Sequence, residues 1–105
     1  MTVRMKAGDT TPSIEATLTD AHDQPVDLGD AETTEFELRD RHGETMFAKP
    51  VEITDAITGE VEYDWDEEDT EEAGDYRGQF VVEFENGDRL TTPTEDWIDV
   101  YIERA

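Results

Sequence analysis

Between Glu62 and Asp75 nine acids and no base occupy one continuous stretch, the densest set of ligating side chains in the sequence. Asp64, Asp66 and Asp69 begin with the spacing of a calcium loop. An EF-hand, however, turns on glycine at its sixth position and closes on a bidentate glutamate at its twelfth. Counted from Asp64, those positions hold Asp69 and Asp75. The stretch therefore reads as a solvated acidic loop containing one helical turn, with weak cation binding as the alternative.

The other reactive side chains are scattered. His22 and His42 fall in separate predicted turns, each beside acids, and lack the close spacing that would bring two imidazoles to one zinc ion. Ser13 is the single serine and has no evident base to activate it. Cysteine is absent, which removes disulfides and thiolate metal sites. Carboxylate pairs are unavoidable among 30 acids and so carry no information about acid–base catalysis. The residues predict a non-enzyme with no cofactor, no metal site and no catalytic residue.

Charge separates the remaining classes. Thirty acids against eight bases give a formal charge of −22. A basic footprint for DNA or RNA is missing, so a nucleic-acid ligand is not expected. Nor is a membrane partner, since no run approaches the roughly 18 apolar residues of a spanning helix. The first ten residues lack the apolar stretch of a signal peptide, so the mature chain is expected to begin near Met1. Low hydrophobicity with high charge is also the signature of disorder, but apolar alternation from end to end opposes it. The acids occupy outward positions of nearly every strand and nearly every loop. Such a global distribution fits a salt-saturated cytoplasm, where screening over about 3 Å at 1 M relieves self-repulsion. A nucleic-acid mimic and an ordinary acidic protein are the alternatives.

The elements that would position these residues are short strands. Val3, Met5 and Ala7 alternate with bases; Ile14, Ala16 and Leu18 alternate with polar residues; Phe36 and Leu38 alternate with Glu35, Glu37 and Arg39. Met46 to Ile53 reads as an edge strand broken at Pro50, which cannot donate to a ladder. Val61, Tyr63 and Trp65 follow. The clearest strand, from Gly74, places Tyr76, Phe80, Val82 and Phe84 inside and Arg77, Gln79, Val81 and Glu83 outside, before Asn86-Gly87 predicts a tight hairpin. Tyr76, just inside this strand after an acidic loop, is placed to pin that loop through its hydroxyl. Seven to eight strands with turns every 8 to 12 residues or so predict an all-β antiparallel sandwich, one domain spanning residues 1–105. Its expected core adds Val51, Ile53, Ile98, Val100 and Ile102 to the inward residues already named.

The last strand leaves Trp97 and Tyr101 opposite Ile98, Val100 and Ile102. With Val81, the only apolar outward residue of the Gly74 strand, they form a candidate interface, because aromatics bury much area at little entropic cost. The alternative is that Trp97 plugs the end of the sandwich and Tyr101 is simply exposed.

Nearly the whole chain resembles the immunoglobulin-like N-terminal domain family of tailed-phage baseplate upper proteins. The features that carry the resemblance are Pro12 and Ile14, Leu18 with Asp20, the piece Pro25 to Leu28, and the strand Phe36, Leu38, Arg39, Asp40. They continue with Gly59, Val61 and Tyr63, then Asp69-Thr70 before Gly74 and Tyr76, and end with Asn86-Gly87 and Pro93. The resemblance implies an immunoglobulin-like sandwich and a virion structural protein without catalytic residues. Larger family members continue beyond this domain, whereas here the sequence ends at Ala105. A stand-alone tail, baseplate or neck component is therefore expected, assembled in the host cytoplasm and docked to other virion proteins and to copies of itself. Combined with the acidity, the implied host is an extreme halophile. A capsid decoration protein and a non-viral acidic module, either a nucleic-acid mimic or a cation binder, are the alternatives.

Overall fold

Three five-residue turns of one design set much of the strand register. They run from Asp20 to Gln24, Asp40 to Glu44 and Phe84 to Asp88. In each, the first N–H donates to the fifth carbonyl, and the fourth N–H donates to the first carbonyl. The fourth residue is left-handed, with φ of 63° at Asp23, 83° at Gly43 and 92° at Gly87. Asp20 and Asp40 each accept backbone N–H bonds from the residues two and four further on. These donors hold the Asp20 carboxyl below its ordinary pKa, Gln24 first and His22 second. His22 and His42 thus occupy equivalent positions of like turns. The third turn differs from the expected two-residue Asn-Gly hairpin. Glu85, Asn86 and Gly87 form a three-residue loop whose single positive φ lies at Gly87, a type I turn closed by a glycine bulge.

The computed structural model describes residues 2–93 and 97–105. Nine strands build two packed sheets: β1 (Thr2–Lys6), β2 (Ile14–Thr17), β3 (Ala31–Asp40), β4 (Thr45–Pro50), β5 (Glu52–Asp55), β6 (Glu60–Tyr63), β7 (Gly74–Phe84), β8 (Arg89–Thr92) and β9 (Ile98–Glu103). The larger sheet runs β1-β9-β7-β3-β4, with β8 also paired to β7; the smaller runs β2-β6-β5. All pairs are antiparallel except β1 with β9, which is parallel. The small sheet occupies the place of strands B, E and D of an immunoglobulin domain, and β3, β7 and β9 those of C, F and G.

The count exceeds the expected seven to eight because the stretch around Pro50 is two strands in two sheets. The Val51 N–H still donates to Thr34 of β3, and from Glu52 the chain pairs with β6 instead. Ile53 consequently lies on an edge strand, 39 % exposed, and is not a core residue. Val51 and Phe84 are half-buried at the margin, while Leu28, in irregular backbone, is fully enclosed.

Between the sheets, Phe36 of β3 meets Tyr63, Phe80 and Trp65 at ring centroids of 4.9, 5.3 and 5.7 Å. Aromatic pairs at such separations add to the stabilisation from area burial. The Trp65 indole N–H, buried with its ring, donates to the Pro12 carbonyl at 3.1 Å. Gly78 is what lets the tip of the Phe36 ring press against β7. A Cβ at Gly78 would stand 2.5 Å from that ring.

Candidate functional site

Two regions of the molecule gather polar and aromatic side chains into defined arrangements. The first is the corner between β6 and β7. Among the described residues, Asp66, Glu68 and Asp69 converge closely enough to hold a cation, and a lysine from the neighbouring sheet already fills the position. The Lys49 ammonium lies 2.6 Å from Asp69, 3.2 Å from Asp66 and 3.4 Å from Glu68. Asp69 is enclosed, with 1 % of its side chain exposed, and also accepts from the Tyr63 hydroxyl at 2.5 Å and the Asp66 N–H at 2.9 Å. The carboxylates hold the Lys49 ammonium well above its ordinary pKa, Asp69 contributing most. Burial, then the bond to Asp69, raises the Tyr63 phenol.

The same corner is tied to the loop after β1 and to the start of β7. A 3-10 turn, Glu67–Thr70, follows Asp66. Thr70, fully buried, donates through its hydroxyl to the Asp9 carbonyl at 2.8 Å, and its own carbonyl accepts from the Gly8 N–H. The Tyr76 hydroxyl donates to the Glu72 carbonyl at 2.8 Å, closing the loop onto the start of β7. Sequence periodicity had no means of finding the part played by Lys49, which lies on β4, twenty residues from Asp69. The one available signal is that Lys49 is the only lysine beyond the first six residues.

The second region is the outer face of the larger sheet. Strand alternation brings Arg4, Lys6, Arg39, Arg77 and Arg89 to this face, five of the chain's eight bases. Glu35, Glu37, Asp75, Glu83, Asp99 and Glu103 share it. Among the described residues paired in register on this face, five bases against six acids sum to −1, on a chain of formal −22. The smaller sheet is the opposite case: Glu15, Glu62 and Glu52 stand side by side across its three strands. Glu62 has its carboxyl pKa raised by Asp64 first, and by Glu15 and Glu52 after burial. Like charges directly opposite one another destabilise a ladder.

Trp97 and Tyr101 lie on the larger sheet's outer face, both half-buried. The Arg39 guanidinium sits 5.7 Å from the Trp97 ring centre, and that of Arg4 4.7 Å from Tyr101. Arg39 in turn donates to Glu37 at 2.6 Å, and Gln79 donates to the same carboxylate at 3.0 Å. Val81 also faces this side, between Glu35 and Thr91, but is 7 % exposed under its neighbours. Between the two rings runs the cross-strand pair Arg77 and Asp99. The three residues therefore do not form one apolar patch; the face is a stripe of arginine-covered rings alternating with charge. Exposed apolar side chains occur elsewhere, at Met46 and at Ile57, which is 77 % exposed.

These features can be set beside known proteins. The family model of the BppU N-terminal domain, that of the baseplate upper protein, matches residues 2–94. No curated protein matches the chain. With a match that takes in every strand but β9 and the corner between β6 and β7, the chain belongs to the BppU N-terminal domain family and is a structural component of a phage baseplate.

Proposed function

We infer that this chain is a virion structural protein in the tail of a virus of an extreme halophile, and that it acts by docking to other virion proteins through the outer face of its larger sheet. The observation carrying this reading is the charge contrast: a face whose described residues sum to −1, with two arginine-covered aromatic rings, on a chain of −22. A partner that is itself acidic meets little repulsion there and strong repulsion at the small sheet. Trp97 and Tyr101 are the proposed anchors, with Val81 packed further along β7 on the same face, between Glu35 and Thr91, and Tyr76 holding the adjoining corner. Rings held under guanidinium groups lose little side-chain freedom on binding.

The host assignment rests on composition. Repulsion among so many acids is screened over about 3 Å at 1 M salt but over about 10 Å at 0.1 M. Folding is therefore expected to weaken as salt falls from molar to millimolar, and equal stability at both would overturn the assignment. The docking role is tested by mass spectrometry and subunit-resolution imaging of purified particles. Several copies at the tail are expected, and absence from the particles would contradict the role. Replacing Trp97 and Tyr101 by glutamine is expected to lower incorporation while leaving the fold intact. Unchanged assembly of that folded variant would contradict the assigned face.

A further inference from the structure

We propose that the partner of this face is a second copy of the chain, meeting it face to face about a two-fold axis; this rests on the docking role proposed above and names its occupant. Two copies brought together by most other surfaces set acid against acid. The small sheet, with its row of Glu15, Glu62 and Glu52, is the extreme instance. The larger sheet's outer face, at −1 over its described residues, is the exception.

Its charges are also self-complementary. Among the described residues, Arg77 has no acid within 4.0 Å and Asp99 no base, although the two are cross-strand partners. The same holds for Arg4 and Asp75. The face thus offers unpaired groups of both signs. A two-fold axis makes residue i of one copy meet residue j of the other and the reverse, so each unpaired arginine has an unpaired acid available opposite. A uniformly acidic partner would satisfy the arginines and leave Asp75 and Asp99 repelled.

The dimensions suit such a contact. Five strands at about 4.8 Å spacing give a width of about 24 Å, and β7 is about 36 Å long. That is room for the roughly 800 Å² per partner of a standard interface. Trp97, just before β9, and Tyr101, within it, supply an aromatic anchor on either side of Arg77 and Asp99.

The test is light scattering with size-exclusion chromatography in molar potassium chloride, on the wild type, Arg77→Glu, Tyr101→Glu and the off-face control Glu62→Arg, with circular dichroism to verify folding. The wild type is expected to be dimeric. Either face substitution should weaken the dimer at least about tenfold, and the control should not. A monomeric wild type would overturn self-pairing, as would a dimer that survives both face substitutions or is broken by Glu62→Arg. The two proposals fail separately. A monomer still found in purified particles removes the second copy but keeps virion docking, and a dimer absent from particles removes virion docking but keeps the pairing.

Discussion

The Lys49 ammonium stands 2.6 Å from the buried carboxylate of Asp69, bridging β4 to the corner that precedes β7. A cation supplied by the chain thereby occupies the place that the acidic loop offers to a metal. Lys49→Met would leave Asp69 enclosed with only the Tyr63 hydroxyl and one backbone N–H. Loss of one partner of an enclosed pair is expected to cost about 2–3 kcal/mol, reduced from the fully buried case by the partial exposure of Lys49. Chemical denaturation of the variant in molar salt checks this. In the wild type, millimolar calcium should leave the melting temperature where sodium of equal ionic strength leaves it, because the ammonium already fills the cluster.

The same corner sets a response to alkali. Lys49 and Tyr63 both have folded pKa values raised above their ordinary values near 10. A raised folded pKa means the folded state holds its proton after the unfolded state has released it. The stabilisation is therefore complete below about pH 10 and is lost as pH climbs beyond it. Thermal melts should show stability falling above about pH 10. Tyr63→Phe should flatten part of that fall, since it removes one of the two titrating groups.

Glu62 works in the opposite sense at neutral pH. Its folded pKa is raised, by Asp64 most, so the ionised form is disfavoured in the folded state. Its contribution is best below the unfolded pKa and becomes unfavourable as pH rises through the folded value. Glu62→Gln should raise the melting temperature at pH 7 in low salt. The gain should vanish below about pH 4, where both states are protonated, and shrink in molar salt.

At the centre of the sandwich, Gly78→Ala drives a methyl to within 2.5 Å of the Phe36 ring. Overpacking of this kind is expected to destabilise by about 1–3 kcal/mol. Pairing it with Phe36→Leu should recover part of the loss, and equilibrium unfolding of the single and double variants measures the coupling.

Tyr76→Phe keeps the ring and removes the hydroxyl that donates to Glu72. A loss of about 1 kcal/mol is expected, some 4–8 °C in melting temperature for a domain near this size. Faster hydrogen exchange should be confined to the loop before β7.

The strands were legible because their apolar residues alternate, and β7, with Tyr76, Phe80 and Val82 inward, is the clearest case. The stretch from Met46 to Ile53 was not. Met46 and Phe47 break the alternation, and a change of sheet at Val51 leaves no periodic trace. Leu28 escaped for the same reason, being buried in irregular backbone. At the candidate face, Trp97 and Tyr101 could be assigned to the outer side by parity alone. The burial of Val81, the arginines over the rings and the −1 balance depend on which strands become neighbours, and β1 beside β9 is a parallel pairing that local pattern does not encode. The Lys49 and Asp69 contact depends on tertiary proximity in the same way.

The most direct test of the docking face is hydroxyl-radical footprinting of the chain, free and within purified particles. Trp97 and Tyr101 are expected to be modified at least several-fold more slowly in the particle, with Met46 and Ile57 little changed. Equal modification of the two rings in both states, with protection appearing instead over the small sheet or at Ile57, would contradict the assignment of the larger sheet's outer face as the docking surface.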